Sequence, residues 1–128
     1  MNSKDFQQRT KALALRVIKL VEALPRTRAA DVLGRQILRS ATSVAANYRA
    51  ACHAQSRNDM IKKLKIVEEE VDETMLWLEL IGEAGIVKVP KLAALIKEAG
   101  EIKAMTVASI KTLRKSAANR QSAIVNRQ

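Results

Sequence analysis

Apolar residues recur three and four positions apart along most of the chain, the spacing that lines one face of an α-helix. Phe6, Leu13, Val17, Leu20, Val21 and Leu24 form a first stripe that Ser3 can cap and Pro25 ends. They predict a helix over about residues 5–24. Thr27 or the following Arg-Ala-Ala-Asp opens a second, over about 29–53, in which Leu33, Ile37, Ala41, Val44, Tyr48 and Ala51 share a face. Ser56-Arg-Asn-Asp59 has the spacing of a capping box, with Asp where Glu or Gln is preferred. The third helix follows over about 57–81, its core arc formed by Met60, Leu64, Val67, Val71, Met75 and Leu78. Gly82, Gly85 and Pro90 punctuate the next connection, and Pro90 suits the first turn of a helix. The fourth helix, over about 90–116, carries Leu92, Leu95, Ile96, Ala99, Ile102, Thr106, Ile110 and Leu113 on one face. No stretch alternates as a strand does. Beyond Ser116 the stripe fades, and residues 117–128 read as a basic, flexible tail.

Four helices joined by short connections pack most simply as an antiparallel up-down-up-down bundle, so the expected fold is all-α, one domain over residues 1–116. A chain of 128 residues can bury roughly two-thirds of its unfolded surface, which is enough for a core without disulfide or metal. The composition agrees: four Gly, two Pro, and only Phe6, Tyr48 and Trp77 as aromatics. The lone Cys52 forms no internal disulfide, and neither an apolar span nor a secretory segment is evident at the N-terminus. The expectation is a cytoplasmic protein with no membrane partner.

Charge changes this picture. Lys and Arg number 23 against 13 Asp and Glu, a formal charge of +10 that attracts polyanions and repels other copies of the chain. Five of the acids crowd into residues 68–73, whereas residues 102–128 hold Lys103, Lys111, Arg114, Lys115, Arg120 and Arg127 and no acid. On the third helix, Ile66, Glu69, Glu73, Leu76 and Leu80 share an arc about 150° from the core, with Trp77 at its edge. An isolated bundle would leave these apolar groups in water, and such surfaces mark interfaces. The second helix turns Arg35, Arg39, Ala46 and Arg49 outward beside small residues. Their planar guanidinium forks suit carboxylates, so Arg39 and Arg49 are expected to meet Glu69, Asp72 or Glu73, within one bundle or between subunits.

Three segments carry a resemblance. Phe6 with Arg9-Thr10, the run Gly34-Arg-Gln-Ile-Leu-Arg-Ser-Ala-Thr-Ser-Val-Ala-Ala-Asn-Tyr-Arg-Ala-Ala-Cys52, and the run Lys63-Leu-Lys-Ile-Val-Glu-Glu-Glu-Val-Asp-Glu-Thr-Met-Leu-Trp-Leu-Glu-Leu80 resemble the 23S rRNA-intervening sequence proteins. These four-helix-bundle proteins are named for reading frames inside large-subunit ribosomal RNA. The likeness spans about residues 4–115. It implies a left-handed bundle and a ring of five subunits, and extends to the accessory protein of diversity-generating retroelements, a basic pentamer that associates with nucleic acid and a reverse transcriptase. By the same resemblance Arg39, Ser40, Asn47, Tyr48, Arg49, Glu69, Glu73 and Trp77 are structural or interface residues.

Catalytic patterns are weak. Cys52 and His53 are adjacent, so they diverge by about 100° on a helix and make a poor nucleophile and base. One Cys and one His cannot supply the four ligands of a structural zinc, no Glu-x-x-His di-iron motif is present, and Gly82-x-x-Gly85 lacks a phosphate-loop lysine. No cofactor is expected. The reading is a non-catalytic homopentameric scaffold that binds RNA or DNA backbone through Lys103, Lys111, Arg114, Lys115 and Arg120. The alternative is an adaptor for a partner protein with no nucleic-acid ligand.

Overall fold

The computed structural model describes the backbone of residues 2–126, and the side chains of residues 2–116 and Asn119. Four helices occupy it: α1 Ser3–Glu22, α2 Arg28–Cys52, α3 Arg57–Glu83 and α4 Val89–Asn126. Each of the first three opens on a side-chain cap. Asn2, one residue ahead of the expected Ser3, accepts from the Asp5 amide of α1. Thr27 accepts from Ala30 N–H of α2, and Ser56 from Asp59 N–H of α3. The Asp59 carboxylate reaches back to Gln55 N–H, one residue before the position a capping box would use.

α3 ends in a Schellman turn. Ile86 N–H bonds the Ile81 carbonyl and Gly85 N–H the Gly82 carbonyl, both at 3.0 Å, while Gly85 takes a φ of 74° that a Cβ would strain. α4 does not end near Ser116. Its backbone helix runs to Asn126, because Ala, Arg and Gln sustain a helix and neither Gly nor Pro intervenes.

Inter-helix pairings show the direction of each neighbour. Positions Gly34 and Val21, then Ala46 and Lys11, adjoin across α1 and α2. Gly82 meets Leu92, Gly100 meets Met75, and Lys103 meets Asp72 across α3 and α4. One index rises as the other falls, so each of these pairs is antiparallel. Residues 53–56 fold α2 back onto α3. α2 and α3 pack most extensively, and α1 and α4 least.

The predicted stripes converge on one core. Leu13, Val17, Ile37, Ala41, Val44, Leu64, Val67, Val71, Leu78, Ala99 and Ile102 are wholly or almost wholly buried, each large aliphatic contributing about 1.5–3 kcal/mol. Tyr48 joins them, its ring tilted against Phe6 with centroids 4.4 Å apart. Four hydroxyls are buried too, those of Thr10, Ser40, Thr74 and Thr106. Each is satisfied by a carbonyl of its own helix, and Ser40 and Thr74 also bond each other.

Candidate functional site

The crowded carboxylates of α3 divide among three directions. Glu70 and Glu73 turn to α2, where Arg39 spans both: its Nη1 lies 3.3 Å from Glu70 Oε2 and its Nη2 3.2 Å from Glu73 Oε2. Burial holds the Glu70 carboxyl above its ordinary range; Arg39 pulls it down, neighbouring Glu73 pushes it up, and burial prevails. Arg39 itself is shifted up, first by the charge of Glu70 and then by its bond to Glu73. The two directions are compatible, since exposed Arg39 bears little desolvation while Glu70 bears most of it. Asp72 turns to α4 and accepts from Lys103 Nζ at 2.9 Å, which raises the lysine's affinity for its proton. Glu69 faces outward and has no ion-pair partner among the described residues.

Several expected partners are therefore reassigned. Arg39 finds Glu73, with Glu70 as an unforeseen second acceptor. Arg35 pairs with Asp31 one turn back on α2, and no α3 carboxylate reaches it. Arg49 is exposed without an ion pair among the described residues. Asn47 donates to the carbonyl and hydroxyl of Ser43 on its own helix, and Tyr48 belongs to the core. Arg9, named in the sequence only for its place in the family motif, finds an unforeseen partner. Its fork grips Glu98 at 2.6 and 3.0 Å, and its Nη1 touches Met105 Sδ, closing the slight α1–α4 seam. The bond to Glu98 raises the guanidinium's proton affinity.

The outer arc of α3 is as apolar as expected. Ile66, Leu76 and Leu80 remain 39, 44 and 39% exposed, flanking Glu69. Trp77 at the arc's edge packs half-buried against the core, with no partner for its shielded Nε1 among the described residues. α1 presents a second apolar outer patch, Leu15 and Ile18. Between α1 and α2 lies a groove of about 290 Å³ floored by Ala45 and Ala46 and rimmed by Lys11 and Arg49.

Basic residues gather at one end of the bundle. Lys111, Arg114 and Lys115 on α4 are exposed, whereas Lys103 is occupied by Asp72. From the Asp72–Lys103 bridge, ten residues back along α3 leads to exposed Lys62 and ten forward along α4 to Leu113, a displacement of about 15 Å towards the same end in both helices. Lys62 thus joins the set. The side chain of Arg120 and all of Arg127 lie outside the described residues.

Among the described residues no three His, Cys, Asp or Glu side chains are grouped to hold a metal ion, and no helix is long and apolar enough to cross a membrane. Cys52 is half-buried beside Tyr48, whose phenol is pushed up by burial and then by that thiol; His53 is exposed.

Comparison with known proteins fits this architecture. No curated protein matches the chain. A crystal structure from Bacteroides thetaiotaomicron, described as a protein with unknown function from the S23 ribosomal protein family, superposes with a TM-score of 0.81. It shares 33% identity over 87% of this chain and 99% of its own. Residues 3–108, which hold the Arg39 bridge, the α3 arc and most of the core, match the 23S rRNA-intervening sequence proteins, and the chain belongs to that family.

Proposed function

We propose that this protein is a non-catalytic homo-oligomeric scaffold that holds RNA or DNA by its phosphate backbone. The observation that carries the reading is the basic end of the bundle. From residue 102 onward the sequence has no carboxylate, and Lys62, Lys111, Arg114 and Lys115 stand exposed there without an ion pair among the described residues. A polyanion neutralised at such a surface releases condensed counterions, so binding is favourable, salt-sensitive and indifferent to base sequence. No aromatic platform for unstacked bases accompanies these cations. Repetition of the cluster around an oligomer, with five copies by the family resemblance, multiplies the affinity of a weak single site.

A mobility-shift or filter titration of mixed RNA and DNA across salt concentrations tests this. Binding is expected at about 50 mM salt and to fall steeply by about 200 mM. The variant Lys111→Glu/Arg114→Glu/Lys115→Glu, exposed at all three sites, should keep its helicity, bind more weakly, and show a shallower salt slope. Absence of binding by the parent protein at low salt would refute the reading.

A further inference from the structure

We propose that the α1–α4 seam, at the end of the bundle away from Lys111 and Lys115, is a second phosphate-contact site, and that a nucleic-acid duplex lies along α4 from one cation cluster to the other. This rests on the nucleic-acid part of the reading above and names the form and placement of the ligand.

The seam changes character along its length. Arg9 on α1 grips Glu98 on α4, and the two helices run antiparallel because each consecutive pair in the bundle does. Seven residues lead from Arg9 to Arg16 on α1 and, in the same spatial direction, from Glu98 back to Lys91 on α4. Each step is about 10.5 Å and about 20° short of two full turns. The register that sets a cation against a carboxylate therefore sets two cations against each other two turns on. Both are exposed, and neither has an ion-pair partner among the described residues. The rung between holds Ala12 and Ala94, exposed and too short to screen them. Lys19, and Lys88 whose carbonyl accepts from Lys91 N–H, add two exposed cations one turn farther; Glu22 is the next acid along α1.

Facing like charges repel, and α1 and α4 pack least of the neighbouring helices, so little apolar contact offsets the repulsion. An anion seated between Arg16 and Lys91 is attracted by both. Beneath them lie buried Leu13, Val17, Leu92 and Leu95, an apolar wall that concentrates the positive field outward.

α4 can carry a duplex from this cleft to the other cluster. Its sequence contains two acids, Glu98 and Glu101, and Arg9 answers both, at 2.6 and 4.0 Å. Exposed Lys97 stands between the two clusters, and exposed Ala104 and Ala108 keep the outward face low. Lys91 to Lys115 spans 24 residues, about 36 Å of helix, close to one turn of B-form duplex at about ten base pairs. The duplex backbone therefore presents itself to the same side of α4 at both ends. A flexible single strand has no such repeat.

The test measures binding of the full chain to labelled mixed-sequence duplexes of about 6 and about 12 base pairs, and to one strand of the longer, by fluorescence anisotropy across salt concentration. Helicity and mass are checked in parallel. The parent should bind the longer duplex at least about tenfold tighter than the shorter. Arg16→Gln/Lys91→Gln should weaken the longer complex about tenfold and make its salt slope shallower by about two. Arg26→Gln/Arg28→Gln removes the same charge from the α1–α2 depression and should leave that slope unchanged. Without nucleic acid, Arg16→Gln/Lys91→Gln should melt no lower than the parent, because a repulsive pair has gone. Equal losses in the two variants, or a lower melting temperature for the first, overturns the cleft and leaves the phosphate-binding reading intact. A single strand bound as tightly as the longer duplex overturns the placement along α4. A parent that binds none of the three at about 50 mM salt overturns both readings.

Discussion

The hydroxyls of Ser40 and Thr74 lie 2.9 Å apart, wholly buried between α2 and α3. Their two hydrogens serve three contacts, since Ile37 O and Glu70 O also sit within reach. Either hydroxyl alone keeps its bond to its own helix when the other is removed. Thr74→Val and Ser40→Ala should each cost about 1 kcal/mol of unfolding free energy, and the double variant less than their sum. Urea denaturation measures the three values. Strict additivity would mean the two hydroxyls are energetically independent.

Arg9 and Glu98 hold the seam where apolar packing is slightest, and both side chains are mostly sheltered. The grip uses two nitrogens of a planar fork, which an ammonium cannot reproduce. Arg9→Lys is therefore expected to lose about 1 kcal/mol despite retaining the charge. A double-mutant cycle with Glu98→Gln should assign most of that loss to the pair. A coupling near zero would show that the seam is held by packing alone.

Glu70 supplies a pH dependence with a definite sign. Its folded-state pKa is raised, chiefly by burial, so the folded protein holds the proton more tightly than the unfolded chain does. The stability this site contributes is present below the unfolded pKa and is lost as pH rises through the folded one. Replacing the carboxyl by an amide removes that titration. The stability of the parent relative to Glu70→Gln should decline as pH rises through and above the ordinary glutamate range of about 4 in guanidinium titrations. An advantage that grows with pH would show that Arg39 outweighs burial.

The helices and their inward faces were legible because a 3.6-residue period survives in each stripe, from Leu13 and Val17 to Ile102 and Ile110. The end of α4 was not, because loss of a stripe signals loss of packing, and Ala117 and Ala118 favour helix without it. Among the charges, the outward placement of Glu69 and Arg49 followed from angle alone. The choice of partners did not. Lys103 meets Asp72, and Arg9 meets Glu98 across most of the chain length, only because α4 lies against both α3 and α1. A wheel of one helix gives direction but cannot say which neighbour stands there. Lys62 was overlooked for the same reason, since it joins the α4 cations by helix pairing and not by sequence proximity.

Trp77 is the chain's single tryptophan, and it sits at the margin of the α3 arc with its indole nitrogen shielded. Tryptophan emission from the unlabelled protein therefore originates from one place. Whatever settles on Leu76 and Leu80 alters the hydration of that ring, so the emission maximum offers an optical record of events on this face while leaving the distant cations of α4 silent.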